Sequence, residues 1–458
     1  MPILSMAQDI TGTWNGLLEV PGAKLRVVFH IESNGEEYST KMDSPDQGAF
    51  GLATDETTWD NGTLTLKASA LAMVYEGKWD EESEGFTGTF KQGGGAFPLS
   101  LSREEVKKEE EEPKPRPQDP TDFPYKQEAV NFTVPQGGHT MAGTLTIPSD
   151  GQFEQVVVLI SGSGPQNRNE ELLNHRPFLV LSDHLTRQGI AVLRYDDRGV
   201  GESTGKFGTA TSRDFANDAS AAVAYLASRS DMNGKKIGLA GHSEGGMIAP
   251  MVASENEQVD FIALLAGPGI PIPELMLLQT DKIAEAGGAS EEERATNKKA
   301  SAQAFSLVKK HRTASTEDLS EILTSFLEEE FASLSEEQKK EIGDKGIFIQ
   351  QQVKTLLTPW FRYFLTFEPD DYLSKVSCPV LAVNGELDLQ VTSKENLNGI
   401  QKSLEKARNR QVTIHEFKQL NHLFQKSTTG APSEYADIEE TFNPEALSFI
   451  SDWILKQK

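Results

Sequence analysis

Over the first hundred residues, apolar and polar positions alternate with a period of two. Leu25, Val27, Phe29 and Ile31 share one face of one run, and Leu64 and Leu66 share a face of another. Such alternation marks half-buried strands. Asn34-Gly35 and Asn61-Gly62 punctuate the runs, and both residue types tolerate the positive φ that tight hairpin turns require. About eight short strands fit between residues 9 and 103, which predicts a small antiparallel β-barrel or sandwich.

From Glu104 to Pro120 the pattern breaks into Lys107-Lys108-Glu109-Glu110-Glu111-Glu112, then Pro113, Pro115, Pro117 and Pro120. A charged stretch running into a proline-stiffened one cannot bury enough apolar surface to fold, so residues 104–120 read as a semi-rigid linker. Beyond it, Val156-Val157-Val158-Leu159-Ile160 is a continuous apolar run, expected of a strand buried on both faces. A helical pattern follows (Pro177, Leu179, Leu181, Leu185), then Ile190 to Leu193. Another helix runs through Phe215, Ala219, Ala222, Val223 and Leu226, with strands at Ile237 to Ala240 and Phe261 to Leu265. This alternation predicts a mostly parallel α/β sheet flanked by helices.

After Pro273 strands cease, and capping-box patterns at Ser290-x-x-Glu293, Ser315-x-x-Asp318 and Ser335-x-x-Gln338 open successive helices. A helical insertion over about residues 271–370 is expected. Strands resume at Val380 to Val383 and Val412 to Ile414. Asn443-Pro444 opens a last helix that turns Leu447, Ile450, Trp453 and Ile454 to the core. Residues 121–458 therefore form one large α/β domain.

Composition narrows the function. A chain of 458 residues suits two or three domains and a core large enough for an enzyme. Its 44 Lys+Arg against 69 Asp+Glu leave a net charge of −25, the wrong sign for a general nucleic-acid or anionic-membrane binder. No apolar run approaches the roughly 18 residues of a membrane helix. The single cysteine, Cys378, excludes an internal disulfide and a Cys-rich metal site; ahead of Pro379 in an apolar run, it reads as a core thiol. No His-Glu-x-x-His or other ligand constellation implies a metal or organic cofactor. Met1 to Ala7 is a short apolar piece ending in Ser5 and Ala7 before polar Gln8 and Asp9, similar to the tail of a secretory signal peptide. Residues 1–8 thus predict export to the periplasm or beyond, with a cytoplasmic chain as the alternative.

The chemistry concentrates in Gly241-His242-Ser243-Glu244-Gly245, placed where a buried strand ends and a small-residue helix begins. In a strand-turn-helix elbow the serine is strained, its neighbours two positions away must be glycine, and its hydroxyl stands above the sheet. Ser243 is the expected nucleophile. It needs a base and the base an orienting acid, in the chain order Ser, acid, His. Asp388 lies just past the strand ending Val383-Asn384-Gly385, and His422 follows the Val412 to Phe417 strand; both are strand C-terminal ends, where α/β sheets place their sites. Glu386 and His415 are the nearby competitors, His415 falling within a strand. The oxyanion hole should combine the backbone N–H of Glu244 with that of Ser163 in Ser161-Gly162-Ser163-Gly164-Pro165, after the first buried strand. Without a following Gly-Lys-Ser/Thr, that loop does not read as a phosphate site.

With these residues the chain from about 125 to 458 resembles an α/β-hydrolase of the serine aminopeptidase-like and carboxylesterase-like group. The likeness rests on Gly241-His242-Ser243-Glu244-Gly245-Gly246, on Asn384-Gly385 and Asp388, on His422, and on Tyr195-Asp196-Asp197-Arg198-Gly199-Val200-Gly201-Glu202-Ser203, which resembles the family's Asp-x-Arg-Gly-x-Gly-x-Ser loop. The resemblance implies no catalytic role for Asp197 and Arg198, which read as loop-fixing. The chain departs from the family at the oxyanion loop, where the family often has His-Gly and this sequence has Ser161-Gly162. The N-terminal region lies outside that likeness; its Gly12-Thr13-Trp14 is similar to the Gly-x-Trp of lipocalin-type barrels, and Trp14 reads as a buried structural residue.

The expected activity is cleavage of carboxylic esters with small or medium acyl groups through an acyl-enzyme. Trp360, Phe361, Tyr363 and Phe364, near the end of the insertion, either shape an apolar acyl pocket or pack the cap. A serine aminopeptidase-like amide or peptide hydrolase is the nearest rival, since the same triad cleaves both bonds; Glu328-Glu329-Glu330 would then hold a free amine or else form a solvated helix face. A third reading gives the N-terminal β domain a glycan- or ligand-binding role.

Overall fold

The computed structural model describes residues 9–20, 23–35, 37–47, 49–71, 73–92, 95–106, 116–342 and 344–458. The signal-like residues 1–8 and the linker residues 107–115 lie outside the described residues. The chain divides into two compact units, residues 1–112 with 339–348, and residues 113–338 with 349–458.

In the first unit nine antiparallel strands succeed one another: β1 (Gly12–Val20), β2 (Ala23–Ser33), β3 (Tyr38–Ser44), β4 (Ala49–Ala53), β5 (Glu56–Asp60), β6 (Thr63–Ala68), β7 (Met73–Asp80), β8 (Gly85–Gln92) and β9 (Gly95–Leu101). They form a four-stranded sheet, β1 to β4, and a five-stranded one, β5 to β9. Just past β9, Ser102 exchanges backbone hydrogen bonds of 2.8 and 2.9 Å with Asn15 of β1. Alternation has the expected result, with Val27, Phe29, Ile31, Leu64 and Leu66 all buried. At Asn61-Gly62 both residues adopt positive φ, 48° and 76°, as a two-residue turn demands. The β2–β3 connection is longer, and at Asn34-Gly35 only Gly35 has positive φ; the Asn34 carboxamide oxygen instead accepts the Glu37 amide at 2.9 Å. Trp14 is buried, donates its indole N–H to the Ile10 carbonyl at 2.8 Å, and carries the Arg103 guanidinium 3.7 Å above its ring. With Phe29, Tyr75 and Phe86 it fills the interior with aromatic rings.

The second unit is built on an eight-stranded sheet of β10 (Lys126–Thr133), β11 (Thr140–Ile147), β12 (Gln155–Ile160), β13 (Ala191–Tyr195), β14 (Lys236–His242), β15 (Phe261–Leu265), β16 (Val380–Gly385) and β17 (Val412–Phe417). Their spatial order is β10-β11-β13-β12-β14-β15-β16-β17. The first two pairings are antiparallel and the rest parallel. β12, β15 and β16 are buried along their whole length, which requires cover on both faces. Helices α1 (Pro177–Arg187), α2 (Ser212–Ser228) and α3 (Gly245–Ala253) follow β12, β13 and β14 in the chain. Six more, α4 (Ile272–Ala286), α5 (Glu291–Lys310), α6 (Thr316–Ser333), α7 (Glu336–Ile342), α8 (Lys345–Leu357) and α9 (Pro359–Phe364), make up the insertion. The capping pairs at Ser290 and Glu293 and at Ser335 and Gln338 are reciprocal, while Ser315 only accepts from the Asp318 amide. After α10 (Asp370–Leu373) and α11 (Ser393–Lys406), α12 (Pro444–Ile454) buries Leu447, Ile450, Trp453 and Ile454.

Arg116 to Asp119, linker by composition, are fastened to this second unit. The Arg116 guanidinium donates to the carbonyls of Leu173, Asn174, Ala436 and Ile438, and the Gln118 carboxamide pairs with the Phe442 carbonyl and the Thr441 amide. Specific donors, which a disorder-like composition does not reveal, hold this stretch in place. Cys378 is half-buried. Among the described residues no helix is long and apolar enough to cross a membrane.

Candidate active site

Ser243 sits one residue past β14 and two before α3, with φ of 52° and its side chain half-exposed. A left-handed serine is strained, and its surroundings hold it: its amide donates to the Leu265 carbonyl of β15 at 2.9 Å. A side chain at Gly241 would strike the Gly245 carbonyl, and one at Gly245 the Ile160 carbonyl of β12. Both glycines of the motif are thus dictated by close backbone approach.

The loops after β16 and β17 bring Asp388 and His422 together. His422 Nδ1 lies 2.8 Å from Asp388 Oδ2. Asp388 Oδ1 accepts the amides of Gln390 and Val391, each at 2.8 Å, and Asp388 and His422 are both buried. A carboxylate so held fixes the imidazole tautomer, leaving Nε2 for chemistry. The two loops are joined by the Leu387 amide donating to the Leu420 carbonyl at 2.9 Å. The competitors point elsewhere: Glu386 is exposed and bonded to Lys418 at 3.0 Å, and His415 lies within β17, stacked on Phe449.

His242, treated in the sequence only as part of the motif, ties the elbow to the histidine loop. Its Nε2 donates to the His422 carbonyl at 3.0 Å, and its Nδ1 lies 2.9 Å from Glu170 Oε1. The same Glu170 oxygen accepts the Gly162 amide at 2.7 Å. Burial disfavours protonation of His242, but Glu170 and the His422 carbonyl outweigh it and raise its pKa. Glu170 was illegible as a site residue: it is 72 positions from His242 and belongs to no motif. No hydrogen bond joins Ser243 Oγ to His422 among the described residues, a gap that such pairs commonly close only with substrate bound.

The Ser161 to Gln166 loop passes beside the serine, and a Cβ built on Gly162 would stand 3.2 Å from Ser243 Cβ. Since the Gly162 amide is committed to Glu170, Ser163 carries the next amide of this loop; its residue is exposed. The Glu244 amide opens α3, where backbone donors and the helix dipole favour negative charge. The Glu244 side chain is buried; its Oε1 accepts from Ser212 Oγ at 2.6 Å and from the Trp360 indole N–H at 2.8 Å. Burial raises its pKa. Trp360 also stacks on Phe364, ring centroids 4.7 Å apart. Among the described residues no cluster of His, Cys, Asp or Glu is arranged to hold a metal.

A mostly parallel eight-stranded sheet, a serine elbow after its fifth strand in chain order, and helices following the strands define an α/β-hydrolase. A family model described as "Serine aminopeptidase, S33" matches residues 176–320, a span that contains Ser243 but neither Asp388 nor His422. The chain is 26% identical over 342 residues to esterase EstD of Thermotoga maritima, covering 74% of this chain and 69% of that protein. Among solved structures it is similar to the Pyrococcus furiosus esterase Pf2001 (17% identity, 73% of this chain and 92% of that one, TM-score 0.44). It is also similar to a hypothetical protein of Pseudomonas aeruginosa (14% identity, 77% and 98%, TM-score 0.46). The chain belongs to the α/β-hydrolase superfamily and is a hydrolase.

Proposed function

We propose that the protein hydrolyses carboxylic esters of small or medium acyl groups, with Ser243 as nucleophile, His422 as base and Asp388 as orienting acid. The carrying observation is a strained, accessible serine on the same motif whose His242 is bonded to the loop of a buried His422–Asp388 pair. In this mechanism His422 Nε2 takes the Ser243 proton as Oγ attacks the acyl carbon. The amides of Ser163 and Glu244 stabilise the oxyanion, His422 protonates the departing alkoxide, and water attacks the acyl-enzyme by the same route. Trp360 and Phe364 border the acyl group from the cap. EstD, the relative named an esterase, supports the ester as substrate.

The family description favours a second reading, hydrolysis of amides or short peptides. Assaying p-nitrophenyl acyl esters beside aminoacyl anilides separates the two: faster turnover of the esters, with stoichiometric labelling of Ser243 by an organophosphonate, is expected. Turnover of anilides alone would replace the ester reading, and failure to label Ser243 would remove both.

A further inference from the structure

Two adjacent carboxyls beside the oxyanion loop live in opposite environments. Asp196 is paired with Arg168 at 2.5 Å and accepts the amides of Arg168 and Glu202 at 2.8 and 3.1 Å. Burial pushes its pKa up, but Arg168 and those amides prevail and lower it, so Asp196 is ionised. Asp197, also buried, has no cationic partner among the described residues. Its contacts are neutral: Ser161 Oγ lies 2.9 Å from Oδ1, the Gln166 amide donates to Oδ2 at 2.9 Å, and the Asp197 amide donates to the Gln166 carbonyl at 3.0 Å. These three bonds clamp both ends of the loop that presents Ser163.

The charged groups around Asp197 offer it no counter-ion. Glu244 and Asp218 line the same small cavity, and Glu170 is close enough to raise its pKa. The basic side chains nearby are engaged elsewhere: the Arg198 guanidinium and the His139 imidazole with Asp218 at 2.7 and 2.9 Å, and the His242 imidazole with Glu170.

We infer that Asp197 is a positioning residue that clamps the oxyanion loop in its neutral, protonated form, and that its ionisation turns the enzyme off on the alkaline side. This rests on the role given above to the Ser163 amide. A protonated Asp197 keeps every bond, its hydroxyl donating to Ser161 Oγ while the other oxygen accepts the Gln166 amide. An ionised one places negative charge against a loop that must stabilise a second negative charge in the transition state. Burial raises the Asp197 pKa to about 7, against the lowering effect of the Gln166 amide and Ser161 hydroxyl, with Glu244 and Glu170 adding to the rise. A carboxyl raised this far is neutral below about 7 and charged above it, so activity lost on this account is lost as pH rises.

The test is the pH profile of kcat/KM for a short acyl ester between pH 5.5 and 9.5, on the full chain. Wild type should decline at least about fivefold above neutral pH, whereas Asp197→Asn, which reproduces the neutral carboxyl's bonds, should match wild type within about twofold at pH 6 and not decline. Persistence of the decline in Asp197→Asn, or its absence in wild type, overturns the inference. If that variant does not fold, Ser161→Ala decides, because losing a hydroxyl that favours the charged form must move the decline to higher pH; an unmoved decline overturns it. Phosphonate labelling of Ser243 separates the failures: normal labelling with a flat alkaline profile sinks only the role of Asp197, and no labelling sinks the proposed function.

Discussion

Both units of the chain contain a hydroxyl, an imidazole and a carboxylate, and the proposed mechanism gives only one set a part in catalysis. In the β unit, Thr13 of β1, His30 of β2 and Asp43 of β3 are cross-strand neighbours, with His30 Nε2 2.9 Å from Asp43 Oδ2 and Thr13 Oγ1 3.2 Å from His30 Nδ1. In the hydrolase unit the corresponding His422–Asp388 distance is 2.8 Å. Separation therefore does not distinguish them. Exposure does: the side chains of His30 and Asp43 are 40% and 19% exposed, those of His422 and Asp388 5% and 0%. Water screens the first pair to a surface interaction of about 0–1 kcal/mol. Thr13, moreover, lies in a regular strand, whereas Ser243 stands on a left-handed elbow at a helix N-terminus. What makes a relay reactive is the dry, donor-lined setting around it.

Substitutions can break this comparison, the largest effect first. Ser243→Ala should lower kcat about 10⁴- to 10⁶-fold, while Thr13→Ala leaves it unchanged; steady-state ester hydrolysis measures both, and equal effects would erase the distinction. Asp388→Asn should cost about 10⁴-fold in kcat with KM little altered, because the imidazole is then held in the wrong tautomer. Gly245→Ala, whose new methyl meets the Ile160 carbonyl, should destabilise the hydrolase unit by about 1–3 kcal/mol in denaturant titrations and slow phosphonate labelling of Ser243. His30→Ala should change turnover less than about twofold and stability by under about 1 kcal/mol; a larger loss of turnover would show that the β unit takes part in the reaction.

Much of this was legible because local physics wrote it. A fully apolar run such as Val156 to Ile160 has to be a doubly covered strand, Gly241 and Gly245 announce a close backbone approach, and Asn443-Pro444 announces a helix start. The edge strand β10 and its neighbour β11 were not read: their polar positions, Gln127, Glu128, Asn131, Thr144 and Thr146, interrupt the apolar signal. Register and partners across a sheet edge depend on residues far away in the chain. The same reason hid Glu170. A carboxylate that bonds His242 and the Gly162 amide looks, in sequence, like any polar loop residue, and only the folded chain reveals what it supports. Asp196 and Asp197 are indistinguishable by type; the placement of Arg168 alone separates an ion pair from a buried acid.

Arg116 carries a practical consequence. Its guanidinium grips two stretches of chain, at 173–174 and at 436–438, the second on the segment that runs from the His422 loop into α12. Composition would place the scissors at Thr121, and a catalytic fragment trimmed there loses this clasp together with Gln118. Cutting at Pro113, where the second unit begins, keeps both, so the sound place to divide the gene lies inside the proline-rich stretch and not behind it.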